Sequence, residues 1–232
     1  MHHLTVDHWS RRNSVLHARD PRAKLVALLC FLVWLATVPV VTVEVACGYG
    51  ALLLAAVVVA RLPLLPLLLR TAVVLPFAGT FAFLSWLSGD SARAVSLLVK
   101  SSFSAFAVML VVATTPMPAL LAGAGRLGAP SMLVTVVQFL YRYLFVLSEK
   151  ARNMRMAASS RGGLRRKAAG GAIAVLFGSS YQRAEGIHRA MLSRGYAGRL
   201  VMPTAFRFGW PDGLLAAATL IVLTGGRLLW RL

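Results

Sequence analysis

A chain of 232 residues that is 58% hydrophobic, 14% charged and carries a net charge of +18 is not built as one soluble globule. Soluble domains run at roughly 45–50% apolar and about 25% charged residues, so this chain has too little charge to coat a globule and more apolar surface than a single core buries. Lipid is the solvent such runs call for, and the positive charge then has two readings, a nucleic-acid footprint or cytoplasmic loops obeying the positive-inside rule. Distribution separates them: 13 of the 25 basic residues fall within 142–207, with Glu149 and Glu185 the only acids there, whereas 25–38 and 45–60 hold no basic residue.

Residues 1–20 are polar and basic, with Arg11, Arg12 and Arg19, and do not read as a cleavable signal peptide. Asp20 is placed to cap a helix, and Pro21 suits its first turn. Apolar segments then cover 24–38, 43–60, 67–87, 92–115 and 210–230. Pro39 ends the first, Pro76 sits inside the third as an expected kink, and Pro116 and Pro118 end the fourth. Each longer segment approaches the ~20 residues of a spanning helix. The N-terminal tail and the loop carrying Arg61 and Arg70 are basic, while 39–44 holds no basic residue, so the N-terminus is expected in the cytoplasm. The expected fold is all-α: a polytopic membrane protein with about five transmembrane helices and long cytoplasmic coupling helices. Its expected organisation is a tail with four spans over 1–115, a cytoplasmic or interfacial helical region over 116–207, and a last span in 208–232.

The middle region holds the ambiguities. Residues 131–147 are nearly long enough to span, but Gln138 and Arg142 fall inside. A helix lying along the membrane surface or packed beneath other helices is the preferred reading, because spanning would move later basic residues outside. Glu185 and Arg189 stand i,i+4 in the favourable order. Cys30 and Cys47 lie in apolar runs and suggest neither a disulfide framework nor a zinc site.

Several motifs fail on context. Gly123, Gly125 and Gly128 match G-x-G-x-x-G with Glu149 downstream, but a transmembrane segment precedes them where a strand is required, so a turn between helices is the expectation. No phosphate loop of the form G-x-x-x-x-G-K-[ST] occurs. His2, His3, Asp7 and His8 could be drawn as a metal site, yet a polar tail holds such residues without purpose; His17 and His188 stand alone. No catalytic, cofactor or metal residues are assigned, and seven acids leave acid–base chemistry few candidates.

One repeated motif does carry weight. Ser160-Arg161-Gly162 and Ser193-Arg194-Gly195 are the same tripeptide 33 residues apart, each after a helix-compatible run and each ending at a helix-stopping glycine. Each copy puts a guanidinium on the last turn of a helix, ready for a carboxylate or for carbonyls of another protein. The helix dipole alone favours arginine there, and for one copy that plain reading suffices; two copies in one basic region weaken it.

Paired Ala/Ser-Arg-Gly motifs of this kind resemble the two coupling helices of T components of energy-coupling factor (ECF) transporters. The stretch from Tyr181-Gln182-Arg183-Ala184-Glu185-Gly186 to Ala190-Met191-Leu192-Ser193-Arg194-Gly195-Tyr196 is similar to the second coupling region of that family. Asp20-Pro21-Arg22-Ala23-Lys24-Leu25 resembles the start of its first membrane helix. With Ser14-Val15-Leu16-His17 ahead of it, the chain looks most like the cobalt-type (CbiQ-like) branch, along essentially its whole length. Both motifs carry Ser where the family often has Ala, which leaves the arginines in place. The resemblance implies a non-catalytic subunit in a bacterial inner membrane, linked to cobalt supply for cobalamin. It implies two partner ATPases that bind ATP and Mg, a substrate-binding S component, and a small accessory membrane subunit. Arg161 and Arg194 would each dock into one ATPase, and the flanks 131–147 and 168–177 would contact the substrate subunit. This chain would hold no cofactor, metal or nucleic acid. A nickel or vitamin importer remains open, as do two other classes: a lipid-acting membrane enzyme, and an anchor binding nucleic acid or anionic lipid.

Overall fold

The computed structural model describes residues 14, 16, 17, 19–38, 40–160 and 165–196, with isolated positions 198, 209 and 213. The His2, His3, Asp7 and His8 group, Arg161, Gly162 and, apart from Gly213, the segment 210–230 lie outside the described residues. Among those described, every regular element is helical. The chain divides into two compact units, one running to Leu127 and a second beginning at Gly128.

In the first unit, α1 (Pro21–Thr37) begins as its sequence dictates: Asp20 Oδ1 accepts the Arg22 N–H at 3.0 Å, and Pro21 occupies the first turn. Helix α2 (Val43–Ala60) ends at Arg61, whose φ of 52° is left-handed and whose N–H returns to Val57 and Val58 carbonyls. The expected kink in the third segment is a real break. Helix α3 (Leu64–Thr71) runs into a 3₁₀ turn over Ala72–Val74, and α4 (Leu75–Leu87) resumes with Pro76 in its first turn. Proline lacks the N–H that would bond residue 72 and its ring crowds that carbonyl, so the α ladder yields just ahead of it. Asp90 then caps α5 (Ser91–Thr114) by accepting the Arg93 N–H at 3.0 Å. A short helix, α6 (Met117–Arg126), starts at Pro116.

Helix α5 is the hub, packed against α1, α2, α3 and α4. The buried positions explain how helices that are apolar all round still choose a face. Ala23, Ala27, Phe31 and Leu35 of α1 recur every fourth residue, as do Val45, Tyr49, Leu53 and Val57 of α2. These rows lie along one side of each helix. Phe31 and Leu35 of the first row and all four residues of the second meet Phe106, Ala107, Leu110 and Ala113 of α5 in one core, where Phe31 and Tyr49 pack edge to face at 5.8 Å between centroids. On α4 the small residues Ala78 and Ala82 are buried, while Phe77, Phe81, Phe83 and Trp86 are exposed. Small residues inward and large apolar ones outward is the pattern of helices packed in lipid, where burying hydrocarbon against protein gains little over hydrocarbon against lipid.

Among the described residues, four stretches are long and apolar enough to cross a membrane: Val43–Ala60, Leu64–Leu87, Ser91–Thr114 and Ser131–Ser160. Helix α1, at 17 residues, is shorter than these. Two features depart from the sequence reading. Residues 117–126 form a helix packed on α1, in place of the turn expected around Gly123 and Gly125. In the second unit, 131–147 is the first half of one uninterrupted helix, α7 (Ser131–Ser160), which packs against α8 (Arg165–Ser193).

Candidate functional site

In the second unit, the first residue of each copy of the repeated tripeptide closes a helix. Ser160 is the last residue of α7 and Ser193 the last of α8. At the end of α8 the backbone closes a full Schellman turn. Tyr196 N–H donates to Met191 O at 3.0 Å and Gly195 N–H to Leu192 O at 3.0 Å, with Gly195 at φ +79°. Glycine takes that left-handed conformation without a Cβ penalty, which is why the helix stops here. Arg194 is thereby the last residue before the chain turns, and it is exposed.

Both motif serines bond their own helix: Ser160 Oγ donates to Met156 O at 3.0 Å and Ser193 Oγ to Ala190 O at 3.0 Å. Their hydroxyls are satisfied within the helix. Serine for alanine thus changes little on the outward side of the motif, and the guanidinium remains its distinctive group. The Glu185–Arg189 pair forms as its spacing predicts, with both side chains exposed. Along the inner parts of the two helices, Val146, Glu149, Lys150 and Asn153 of α7 face Ser179 and Arg183 of α8 across a shared groove.

Apolar residues on these helices are also exposed. Met132, Val136, Leu140 and Leu144 form a row of period four on α7, and Ile173, Phe177 and Tyr181 form another on α8. Aromatic neighbours on α7 pack together, with Tyr141 and Phe145 edge to face at 5.1 Å, and the Arg142 guanidinium carbon lies 5.9 Å from the Tyr143 ring centroid.

The residues Asp20, Pro21, Arg22 and Lys24 belong to the first unit, on the opening turn of α1. Lys24 is buried, and its Nζ donates to Thr115 Oγ1 at 2.9 Å and to Thr114 O at 3.2 Å, at the C-terminal end of α5. A cation there satisfies terminal carbonyls and complements the helix dipole. Lys100 of α5 reciprocates by donating to the carbonyl of Val38, the cap residue of α1. Sequence reasoning passed over Lys100, although a lone lysine within an apolar span is itself a signal. It also read Gly123 as part of a turn, whereas a Cβ there would meet Pro21 Cβ at 3.2 Å. Among the described residues, no group of three His, Cys, Asp or Glu side chains gathers as a metal site.

The bundle of apolar helices, outward hydrocarbon and charge segregated into the later helices together define a multi-pass α-helical membrane protein. A model of the cobalt transport protein family CbiQ matches residues 12–204, and the chain belongs to that family. It is a membrane component of a cobalt-type transporter. An uncharacterised protein of Methanocaldococcus jannaschii is 28% identical over 226 residues, covering 85% of this chain and 76% of its own length. A second uncharacterised protein of that archaeon is 35% identical over 92 residues, which is 38% of this chain and 34% of that protein.

Proposed function

We propose that this chain is the transmembrane coupling (T) subunit of an ECF-type importer, with cobalt ion as cargo, driven by two separate ATPases. The observation that carries the reading is the Schellman-terminated helix α8, which holds an exposed Arg194 at its tip inside a motif repeated at the end of α7. Each arginine docks into a groove of one ATPase and pairs with carboxylates there. A planar guanidinium fixed at a rigid helix end makes two directed bonds, so it transmits position as well as affinity. When the ATPases close, the tips move, and α7 and α8 carry the shift as packed rods. ATP and Mg belong to the ATPases and cobalt to a separate membrane subunit, so this chain has no catalytic step. An accessory membrane subunit completes the assembly, which sits in the cytoplasmic membrane.

Charge supports the orientation. Helix α7 is apolar enough to cross the bilayer, yet crossing would carry Arg152 and Arg155 outward against the positive-inside rule. The helix therefore lies along or beneath the membrane, and its exposed row Met132, Val136, Leu140 and Leu144 is covered by lipid or by the substrate-binding subunit. No residue of this chain touches cargo in this scheme, so a nickel or vitamin importer would need only a different substrate subunit.

The test is the pair Arg161→Ala and Arg194→Ala. The double variant inserts normally but loses co-purification with the ATPases, or hydrolyses ATP without uptake. Uptake at the wild-type rate in the double variant sinks the assignment.

A further inference from the structure

We propose that Lys24 is a positioning residue that pins the corner between α5 and α6, so that force from the coupling helices reaches a membrane unit that does not give. This rests on the T-subunit reading above. The geometry comes from one face of α1. Pro21 and Lys24, three residues apart and so neighbours on the helix surface, hold the two ends of the corner. Lys24 is 4% exposed and clasps Thr114 O and Thr115 Oγ1. The Thr114 hydroxyl is turned back to Leu110 O at 2.9 Å, which leaves its carbonyl to the lysine. Thr115 itself is extended and 3% exposed, so the grip falls on the residue where α5 stops.

The next residue starts α6: Pro116 O accepts from Ala119 N–H at 2.9 Å and from Leu120 N–H at 3.1 Å. Near its other end, Gly123 lies so close to Pro21 that an added Cβ would stand 3.2 Å from the proline Cβ. The opening turn of α1 therefore grips α6 at its root and along its length. Only 127–130 then separate α6 from the start of α7 at Ser131. Any pull on α7 is transmitted along that short link into α6. With the corner pinned, the membrane unit is a fixed reference and the displacement goes to the partner; with it free, α6 swings and the stroke is lost.

A buried lysine is a costly way to hold two helices, since the rest of the α1 stripe (Ala27, Phe31, Leu35) does so with apolar packing. What a charge-assisted bond adds is direction: it fixes the corner at one register.

The experiment uses the complete complex in liposomes and reads three quantities: co-purified ATPase, cobalt ion taken up per ATP hydrolysed, and amide exchange over 117–126. In Lys24→Met, which keeps the aliphatic stem, ATPase binding stays at the wild-type level. Uptake per ATP falls roughly fivefold or more, the size of an ordinary coupling free energy. Exchange over 117–126 rises, while exchange in α2 is unchanged. Should Lys24→Met fail to accumulate, Thr115→Val carries the test, because it removes one acceptor and leaves Lys24 bonded to the Thr114 carbonyl. Thr115→Ser restores the ratio. An unchanged ratio, unchanged exchange, or ATPase binding lost in step with uptake overturns the proposal. A wild-type complex without ATP-driven uptake overturns the transport reading itself and the role of Lys24 in it, and the wild-type control tells that failure apart from failure of the pin.

Discussion

Gly195 shows how one residue without a side chain sets where a charged one points. At φ +79° it lets the chain leave α8 just after Arg194. A Cβ there meets no neighbouring atom, so the cost of Gly195→Ala is backbone strain alone, about 1 kcal/mol. We expect Gly195→Ala to fray the last turn of α8, seen as faster amide exchange at positions 195 and 196, and to weaken ATPase capture without unfolding the first unit. Ser96 is the buried counterpart. It is 3% exposed and accepts the Val41 N–H at 3.0 Å, tying the α1–α2 loop to α5. Ser96→Ala leaves that N–H without its acceptor and is expected to cost about 1–2 kcal/mol, read as a lower midpoint temperature in detergent. Ser96→Cys, with a weaker acceptor, should fall between. The helix stop at Ser193-Arg194-Gly195, the Asp20 cap and the Glu185–Arg189 pair are legible from spacing, because each depends on residues about one turn apart. Lys24, Lys100 and Ser96 are not, since their partners lie 90, 62 and 55 positions away.

At the level of elements, hydropathy locates the apolar spans well. Helices α1, α2 and α5, and the stretch from α3 through α4, lie within a few residues of the segments read from sequence. Glycine misleads in α6. A cluster of three glycines reads as a turn because glycine lowers helix propensity. Here Gly123 earns its place by close approach to Pro21, and only Gly128, at φ +107°, acts as a turn residue. Gly123→Val is therefore expected to push α6 off α1, destabilising the first unit by about 1–3 kcal/mol as overpacking does, with a matching fall in detergent midpoint temperature. Gly123→Ala should be milder, because its gain in helix propensity opposes the tight contact. A midpoint raised by Gly123→Val would show that the close packing is not a constraint.

For the whole molecule, orientation is the property on which function turns. With Cys30 and Cys47 replaced by alanine, a single cysteine at Val40 should react with a membrane-impermeant maleimide added to intact cells. A single cysteine at Tyr196 should react only after the cells are opened. Labelling of Tyr196→Cys from outside would place the α8 tip on the wrong face for any ATPase and end the proposed mechanism. This expected asymmetry is argued from charge, since Lys and Arg are retained on the cytoplasmic side during insertion. The 39–44 turn has none, while the stretch from 142 to 207 has 13.

By itself the sequence determined the solvent, the helical class, the family resemblance and the repeat of the Ser-Arg-Gly tripeptide. Each of these is a matter of composition or of residues close along the chain, where helix geometry alone relates neighbours. The tertiary structure decided which face of each uniformly apolar helix is buried, that 117–126 is a packed helix, and that two lysines clasp the ends of one another's helices. Those outcomes depend on which surfaces meet. In spans that are apolar on every side, hydropathy carries no preference among faces, and the choice falls to fit between small residues and to the few polar groups that must find partners.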